Sequence, residues 1–213
     1  MPEPGHAGPS YDRVAERYAA EIAGELTHKP FDRGLLDAVA ELAGGGPVAD
    51  VGCGPGHVAA YLAGRGVRTV GLDLSPGMCA VARAAGVPAA AADMTSLPLR
   101  AGSMAALVCL YAVIHLDASA RAVAYQEFAR VLQPGGRALV AFHTSDPEHA
   151  TGTKQHVAEW WGNQVDLTFR YLDADEEVTA LRSAGLTLVA RLDRSPHDGL
   201  EHPSQRSYLV VGR

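Results

Sequence analysis

Apolar residues fall into two patterns along the chain, short continuous runs and runs spaced at three and four residues, and the two alternate. Tyr11, Val14, Ala15, Tyr18, Ala19, Ile22 and Leu26 recur at helical spacing and predict one amphipathic helix over 11–26. A second helix is predicted over 31–42, with Leu35, Leu36, Val39 and Leu42 on one face and Gly44-Gly45-Gly46 as its stop. Apolar runs at 48–51, 67–72, 88–92, 105–110 and 137–143 read as strands, with helices at 57–63, from Ser75-Pro76 onward, and at 119–132. Ser75 is suited to cap its helix and Pro76 to open it, while Ser119 is the expected cap of the third. Alternation of strand and helix through residue 143 implies an α/β fold with a parallel, doubly wound sheet and right-handed crossovers.

The pattern changes after His143. Residues 144–173 lack a strong helix repeat, and Asp166 to Tyr171 alternates with period two, so this stretch reads as a substrate-covering insertion with one short strand. A helix resumes over 175–184, with acidic residues in its first turn and Gly185 after its end. Runs at 186–192 and 207–211, joined by a short polar loop, predict a terminal hairpin that puts one antiparallel strand in the sheet.

Composition narrows the setting. A chain of 213 residues is expected to be one domain, large enough to bury about 70% of the surface its unfolded form exposes. Residues 1–10, rich in proline and glycine, are expected to be a disordered lead to a single domain over 11–213. The net charge of −6 speaks against a nucleic-acid footprint. Cys53, Cys79 and Cys109 sit singly without CxxC spacing, which suits free thiols in a reducing compartment. No run approaches the length of a membrane span and the N-terminal residues lack a signal-peptide core, so a cytoplasmic protein is expected, with no membrane partner.

Chemistry concentrates in Asp50-Val51-Gly52-Cys53-Gly54-Pro55-Gly56, where an apolar strand breaks into alternating glycines before a helix. Glycine there lets the backbone take positive φ and approach a nucleotide-type ligand closely. Asp50 lies near the strand's carboxyl end, where ligands bind in open α/β sheets, and suits an amine. Asp73 closes the next strand 17 residues after Gly56, about where a carboxylate reaches the hydroxyls of a ribose. Asp93 ends the third strand, as a ligand or a cap, and Met78 either lies against a base or fills the core. Leu110, Tyr111 and His115 leave the fourth strand at the same edge.

The glycine segment resembles the signature of class I S-adenosylmethionine-dependent methyltransferases. Val70 to Ser75 is similar to that family's second strand with its ribose acid, Ala92-Asp93-Met94 to its adenine-side acid and neighbour, and Leu132 to Gly136 to the turn before its fifth strand. Tyr11 to Ala19 is similar to its N-terminal helix, which closes over the cofactor. The likeness spans roughly residues 10–213 and is weakest over 144–172. It implies a Rossmann-like seven-stranded sheet with a reversed last strand, and S-adenosylmethionine as cofactor with S-adenosylhomocysteine as product. It also implies that Asp50, Gly52, Cys53 and Gly54 take the amino-acid end, Asp73 the ribose, and Leu74, Met78, Asp93, Met94 and Leu110 surround the adenosyl group. Tyr11 and Tyr18 either cover the cofactor or pack their helix down.

Methyl transfer from a sulfonium needs alignment, exclusion of water and at most a modest base. His115 and His143, each at a strand's carboxyl end, are the candidate bases. Tyr111, Trp160 and Trp161 are candidates to wall the acceptor, the tryptophans alternatively packing the insertion against the sheet. His143, Asp146, His149 and His156 carry metal-type ligand atoms at a spacing that matches no template, so no metal is expected. The acidic balance and the lack of an Asn-Pro-Pro-Tyr element favour a small-molecule acceptor methylated at oxygen or nitrogen. Gly54-Pro55-Gly56-His57-Val58-Ala59 also satisfies G-x-G-x-x-G/A, which keeps an NAD(P)-dependent oxidoreductase as an alternative, beside a non-catalytic S-adenosylmethionine-binding protein.

Overall fold

A computed structural model describes residues 7–213. Its first helix, α1 (Ala7–Ile22), begins at Ala7 rather than Tyr11, which corrects the expected disordered lead for residues 7–10; the rest of that lead lies outside the described residues. Proline is tolerated in a first helical turn. Tertiary contacts hold that turn: Gly8 packs where a Cβ would sit 3.0 Å from Leu74, and Ser10 Oγ accepts from the Asp166 N–H at 2.8 Å.

A 3-10 turn at Glu25–His28 leads to α2 (Pro30–Leu42). The alternating units follow as β1 (Val48–Val51), α3 (His57–Ala63), β2 (Thr69–Asp73), α4 (Pro76–Ala84), β3 (Ala89–Ala91), β4 (Met104–Leu110), α5 (Ala118–Val131) and β5 (Leu132–Ser145). Ser75 caps α4 by accepting the Met78 N–H at 3.0 Å. The cap of α5 is Asp117, which accepts from Ala120 N–H at 2.8 Å, so Ser119 falls inside the helix. β5 runs through Pro134-Gly135-Gly136 with a register shift opposite Met104 and Ala106.

Residues 154–170 form two strands rather than one, β6 (Lys154–Trp160) and β7 (Asn163–Arg170), an antiparallel hairpin outside the main sheet. Trp161 and Gly162 make its tip at φ 52° and 78°, the positive pair that a two-residue hairpin turn requires. α6 (Ala174–Ser183), β8 (Thr187–Arg194) and β9 (Gln205–Gly212) complete the chain.

The main sheet has seven strands in the order β3-β2-β1-β4-β5-β9-β8, with β9 antiparallel to both neighbours. This is the expected α/β fold with its reversed last strand. β1 and β4 are buried on both faces, as their unbroken apolar runs require. Leu107, Phe128, Val140 and Phe142 pack one face with α5 and α6, and Leu36, Val58, Leu62 and Leu139 pack the other with α2 and α3. Strand order reverses between β1 and β4, which opens a crevice at their carboxyl ends.

Candidate active site

A cavity of about 880 Å³ occupies that crevice, roofed by α1, β7 and the β8–β9 connection. It is built on the turn after β1. Gly52, at φ +74°, packs where a Cβ would lie 2.2 Å from the Ala112 Cβ, and Gly54, at φ +53°, faces the Tyr18 ring with only that contact in the space a Cβ would fill. Gly52 and Cys53 both donate their N–H to Leu72 O, which ties the loop to β2. The Cys53 thiol is buried, and burial raises its pKa above the ordinary thiol range, so it lines the cavity as a small apolar group.

Three carboxylates reach this cavity from three strand ends. Asp50 is buried and accepts the Ala59 N–H at 3.1 Å; burial pushes its pKa up to about 7, against the opposing pull of His57. Asp73 accepts from Gly54 N–H and Ser75 N–H, each at 2.8 Å, so the carboxylate itself fixes the glycine loop; burial still raises its pKa. Asp93 accepts from the Thr95 N–H and hydroxyl in a local turn at the rim. Leu74, Met94 and Leu110 line the walls, and Met78 serves both the wall and the core.

His115 sits in a 3-10 turn after β4, with Nδ1 3.0 Å from Thr168 O and Nε2 2.9 Å from the Tyr11 hydroxyl. A carbonyl only accepts, so Nδ1 carries the proton and Nε2 accepts from tyrosine. Burial lowers the His115 pKa to about 4. His143, at the end of β5, bonds through Nδ1 to Ser204 Oγ at 2.8 Å and stacks on Tyr111 at 4.8 Å, while its Nε2 makes no hydrogen bond among the described residues. Burial and then the charges of Arg206, His202 and Lys29 lower its pKa to about 3. Tyr111 takes φ 59°, an uncommon backbone state at the strand's exit. Its ring lines the cavity while its hydroxyl leaves it, bonding to Tyr208 at 2.5 Å and Asp32 at 3.4 Å.

The tryptophans are elsewhere. Trp160 and Trp161 stack at 4.6 Å behind Tyr11 and Tyr18 and do not line the cavity, which corrects their expected place against the acceptor. The hairpin turn aims them at α1 instead. His149 pairs with Asp146 and His156 with Asp166, and among the described residues no group of three or more His, Cys, Asp or Glu could hold a metal ion.

Sequence reasoning missed Glu25, Lys29, His57, Thr168, Arg170, Glu201, His202 and Arg206, all of which line the cavity. His57 directly follows the glycine loop, which was the available signal for it; the others come from segments whose proximity no local motif signals. Glu201 is held by Arg194 at 2.7 and 2.8 Å, and Arg194 also reaches Asp32 at 2.9 Å, so the β8–β9 connection is pinned to α2 over the cavity.

Residues 49–140 match the family described as methyltransferase domain. Similar proteins include tRNA (carboxymethyluridine(34)-5-O)-methyltransferase ALKBH8 of Mus musculus, 32% identical over 73% of this chain and 22% of that protein. Ubiquinone/menaquinone biosynthesis C-methyltransferase UbiE of Syntrophotalea carbinolica is 38% identical over 62% of this chain and 59% of that protein. Residues 49–140 are a methyltransferase domain, and the chain has the fold of class I S-adenosylmethionine-dependent methyltransferases. It spans only about a fifth of the first relative and three-fifths of the second. The crystal structure of the [4+2]-cyclase SpnF shares the fold, with a TM-score of 0.71, 19% identity, and all of this chain and 98% of that one covered. No helix among the described residues is long and apolar enough to cross a membrane.

The site suits the family's cofactor, S-adenosylmethionine. A buried carboxylate that burial leaves short of stabilising partners matches an ammonium, the open side of Gly54 admits a close approach, and Leu74, Met78 and Met94 offer apolar contact for a base.

Proposed function

We propose that this chain transfers a methyl group from S-adenosylmethionine to an oxygen or nitrogen atom of a small-molecule acceptor. Bound S-adenosylmethionine supplies an electrophilic methyl carbon. In this reading Asp50 takes the ammonium, Asp73 the ribose hydroxyls, and Leu74, Met78, Asp93 and Met94 the adenine. Tyr11 and Tyr18, both lining the cavity, cover the adenosyl group from α1. Trp160 and Trp161 act from behind by holding those tyrosines in place.

The observation that carries the acceptor half is His143. Its imidazole reaches the cavity with Nε2 free of hydrogen bonds among the described residues, beyond the glycine loop and beside Tyr111. Its lowered pKa keeps it neutral at physiological pH, so Nε2 can accept a hydrogen bond from an acceptor hydroxyl or amine and takes the proton only once methyl transfer has made it strongly acidic. His115 is a poorer base, because both ring nitrogens are engaged and Nε2 already receives the Tyr11 hydroxyl.

A small acceptor is supported by the enclosing roof and by the net charge of −6, which disfavours a polyanion. Three buried free thiols fit a reducing, cytoplasmic setting. The test is a panel of small phenols, hydroxy acids and amines, with tRNA and a quinol precursor as comparison acceptors, scored by incorporation of labelled methyl. Labelling of a small hydroxyl or amino compound is the expected outcome; labelling of tRNA alone, or of carbon, would overturn the acceptor assignment.

A further inference from the structure

The charges around His143 and Tyr111, at the acceptor end of the cavity, are matched within the protein. Lys29 and Arg206 lie 5.4 and 6.0 Å from the centre of the Tyr111 ring. Lys29 meets Glu25 at 2.6 Å, Arg194 meets Asp32 at 2.9 Å, and Arg206 meets Glu201 at 3.6 Å, so each cation has its own carboxylate. Glu21, on the exposed edge of the cavity, pairs with Arg17 at 2.5 Å. His143 itself is neutral at physiological pH. An ionised acceptor would lose hydration here and meet no unmatched countercharge among these groups, whereas a neutral acceptor loses little.

Leu200, in the β8–β9 connection, lines this cavity and is nevertheless 60% exposed, so it stands at the mouth with one side to solvent. Its place is set by the next residue. The Glu201 side chain is fully buried, accepting from Arg194 at 2.7 and 2.8 Å and from the His197 N–H at 2.8 Å. The N–H groups of Leu200 and Glu201 both donate to His197 O, at 3.1 and 3.3 Å, which closes a turn over 197–201. Phe31 braces that turn from α2, its ring parallel to the His197 ring at 5.9 Å. An apolar side chain left half in water gains when a ligand covers it. We propose that the acceptor is uncharged and carries an apolar arm that covers Leu200 where it leaves the cavity. Leu200 is then a specificity-determining residue and Glu201 its positioning residue. The proposal rests on the reading that a small molecule receives the methyl group at this end.

The test titrates 4-alkylphenols of increasing chain length, and 4-hydroxyphenylalkanoic acids of matching length, into the full chain saturated with S-adenosylhomocysteine. Affinity in the alkyl series is expected to rise roughly threefold per methylene over the first few additions. The acids should bind roughly 10-fold more weakly than alkylphenols of equal length. Leu200→Asp and Glu201→Gln should each flatten the rise while affinity for S-adenosylhomocysteine holds, and Leu200→Met, which keeps the apolar surface, should retain it. Affinity independent of chain length, acids that bind as tightly, a rise that persists in Leu200→Asp, or no binding by any member would overturn the proposal. Leu200 is exposed, so its variants decide the question even where Glu201→Gln fails to fold. Labelled-methyl assays on the same compounds separate this proposal from the reading beneath it. Methylation of carbon or of tRNA alone, with the chain-length dependence intact, would overturn the oxygen or nitrogen acceptor and leave the apolar mouth in place.

Discussion

Tyr11 and His115, 104 residues apart, meet in a 2.9 Å hydrogen bond that fastens α1 to the turn after β4. Because Thr168 O takes the proton on Nδ1, the same imidazole also ties that turn to β7. Arg13 adds a bond to Gln164 O at 2.9 Å, and Ser10 one to Asp166 N–H. Within the roof of the cavity, α1 and the β6–β7 hairpin therefore form one unit.

Tyr11→Phe removes the bond and leaves His115 Nε2 unpaired in a buried site. A loss of about 1 kcal/mol is expected, which lowers Tm by roughly 2–4 °C in a domain of this size. S-adenosylhomocysteine should also dissociate faster. Thermal denaturation and stopped-flow release check both; an unchanged Tm with unchanged release would show that the roof is not held by this contact.

Acid stability follows from the two histidines. Their folded pKa values, about 4 for His115 and about 3 for His143, lie below the ordinary imidazole value, so the unfolded chain binds more protons between about pH 4 and 6.5. Their contribution is complete above that window and is lost as pH falls through it. Urea midpoints measured from pH 7 to 4 should decline, and His143→Gln should flatten the decline.

Asp50 acts with the opposite sign. Burial raises its folded pKa to about 7, so the stability it contributes is present below the ordinary carboxylate range and is lost as pH rises through about 7. An ammonium favours the ionised form, so S-adenosylhomocysteine should bind more tightly as pH rises toward 8 and should release a proton near neutrality. Calorimetry in buffers of different ionisation enthalpy reads that proton. Asp50→Asn should stabilise the free protein at pH 8, abolish the proton release and weaken binding by roughly 10- to 100-fold.

Strong local signals made the sheet and the glycine loop legible. β1 and β4 are unbroken apolar runs, and Gly52 and Gly54 do take positive φ. Less was legible in the roof. β6 alternates too weakly to read as a strand, and its tip places Trp161 at φ 52°, a state that sequence patterns assign to glycine or asparagine. With that turn hidden, the direction of the tryptophans could not be read, and they turn toward α1 rather than the cavity. Ser119 lost the cap of α5 to Asp117, two residues earlier, because both side chains suit the role. The Glu25, Lys29 and His57 cluster and the Arg194–Glu201 pairing join segments far apart in sequence, so only the folded chain displays them.

For the acceptor half, His143→Gln should lower turnover by about 10²- to 10⁴-fold, the usual contribution of a general base. Affinity for S-adenosylhomocysteine should hold, since His143 lies beyond the proposed cofactor contacts. Labelled-methyl turnover beside calorimetry separates the two quantities, and full activity in the variant would remove His143 from the mechanism.

The central claim is that the cavity takes S-adenosylmethionine. Titration of the purified chain with S-adenosylhomocysteine, and in parallel with NADH and NADPH, tests it most directly. One saturable site for S-adenosylhomocysteine, weakened in Asp73→Ala and matched by no binding of either nicotinamide, is the predicted result. Binding of NADH or NADPH with no response to S-adenosylhomocysteine would contradict it and assign the glycine loop to hydride chemistry.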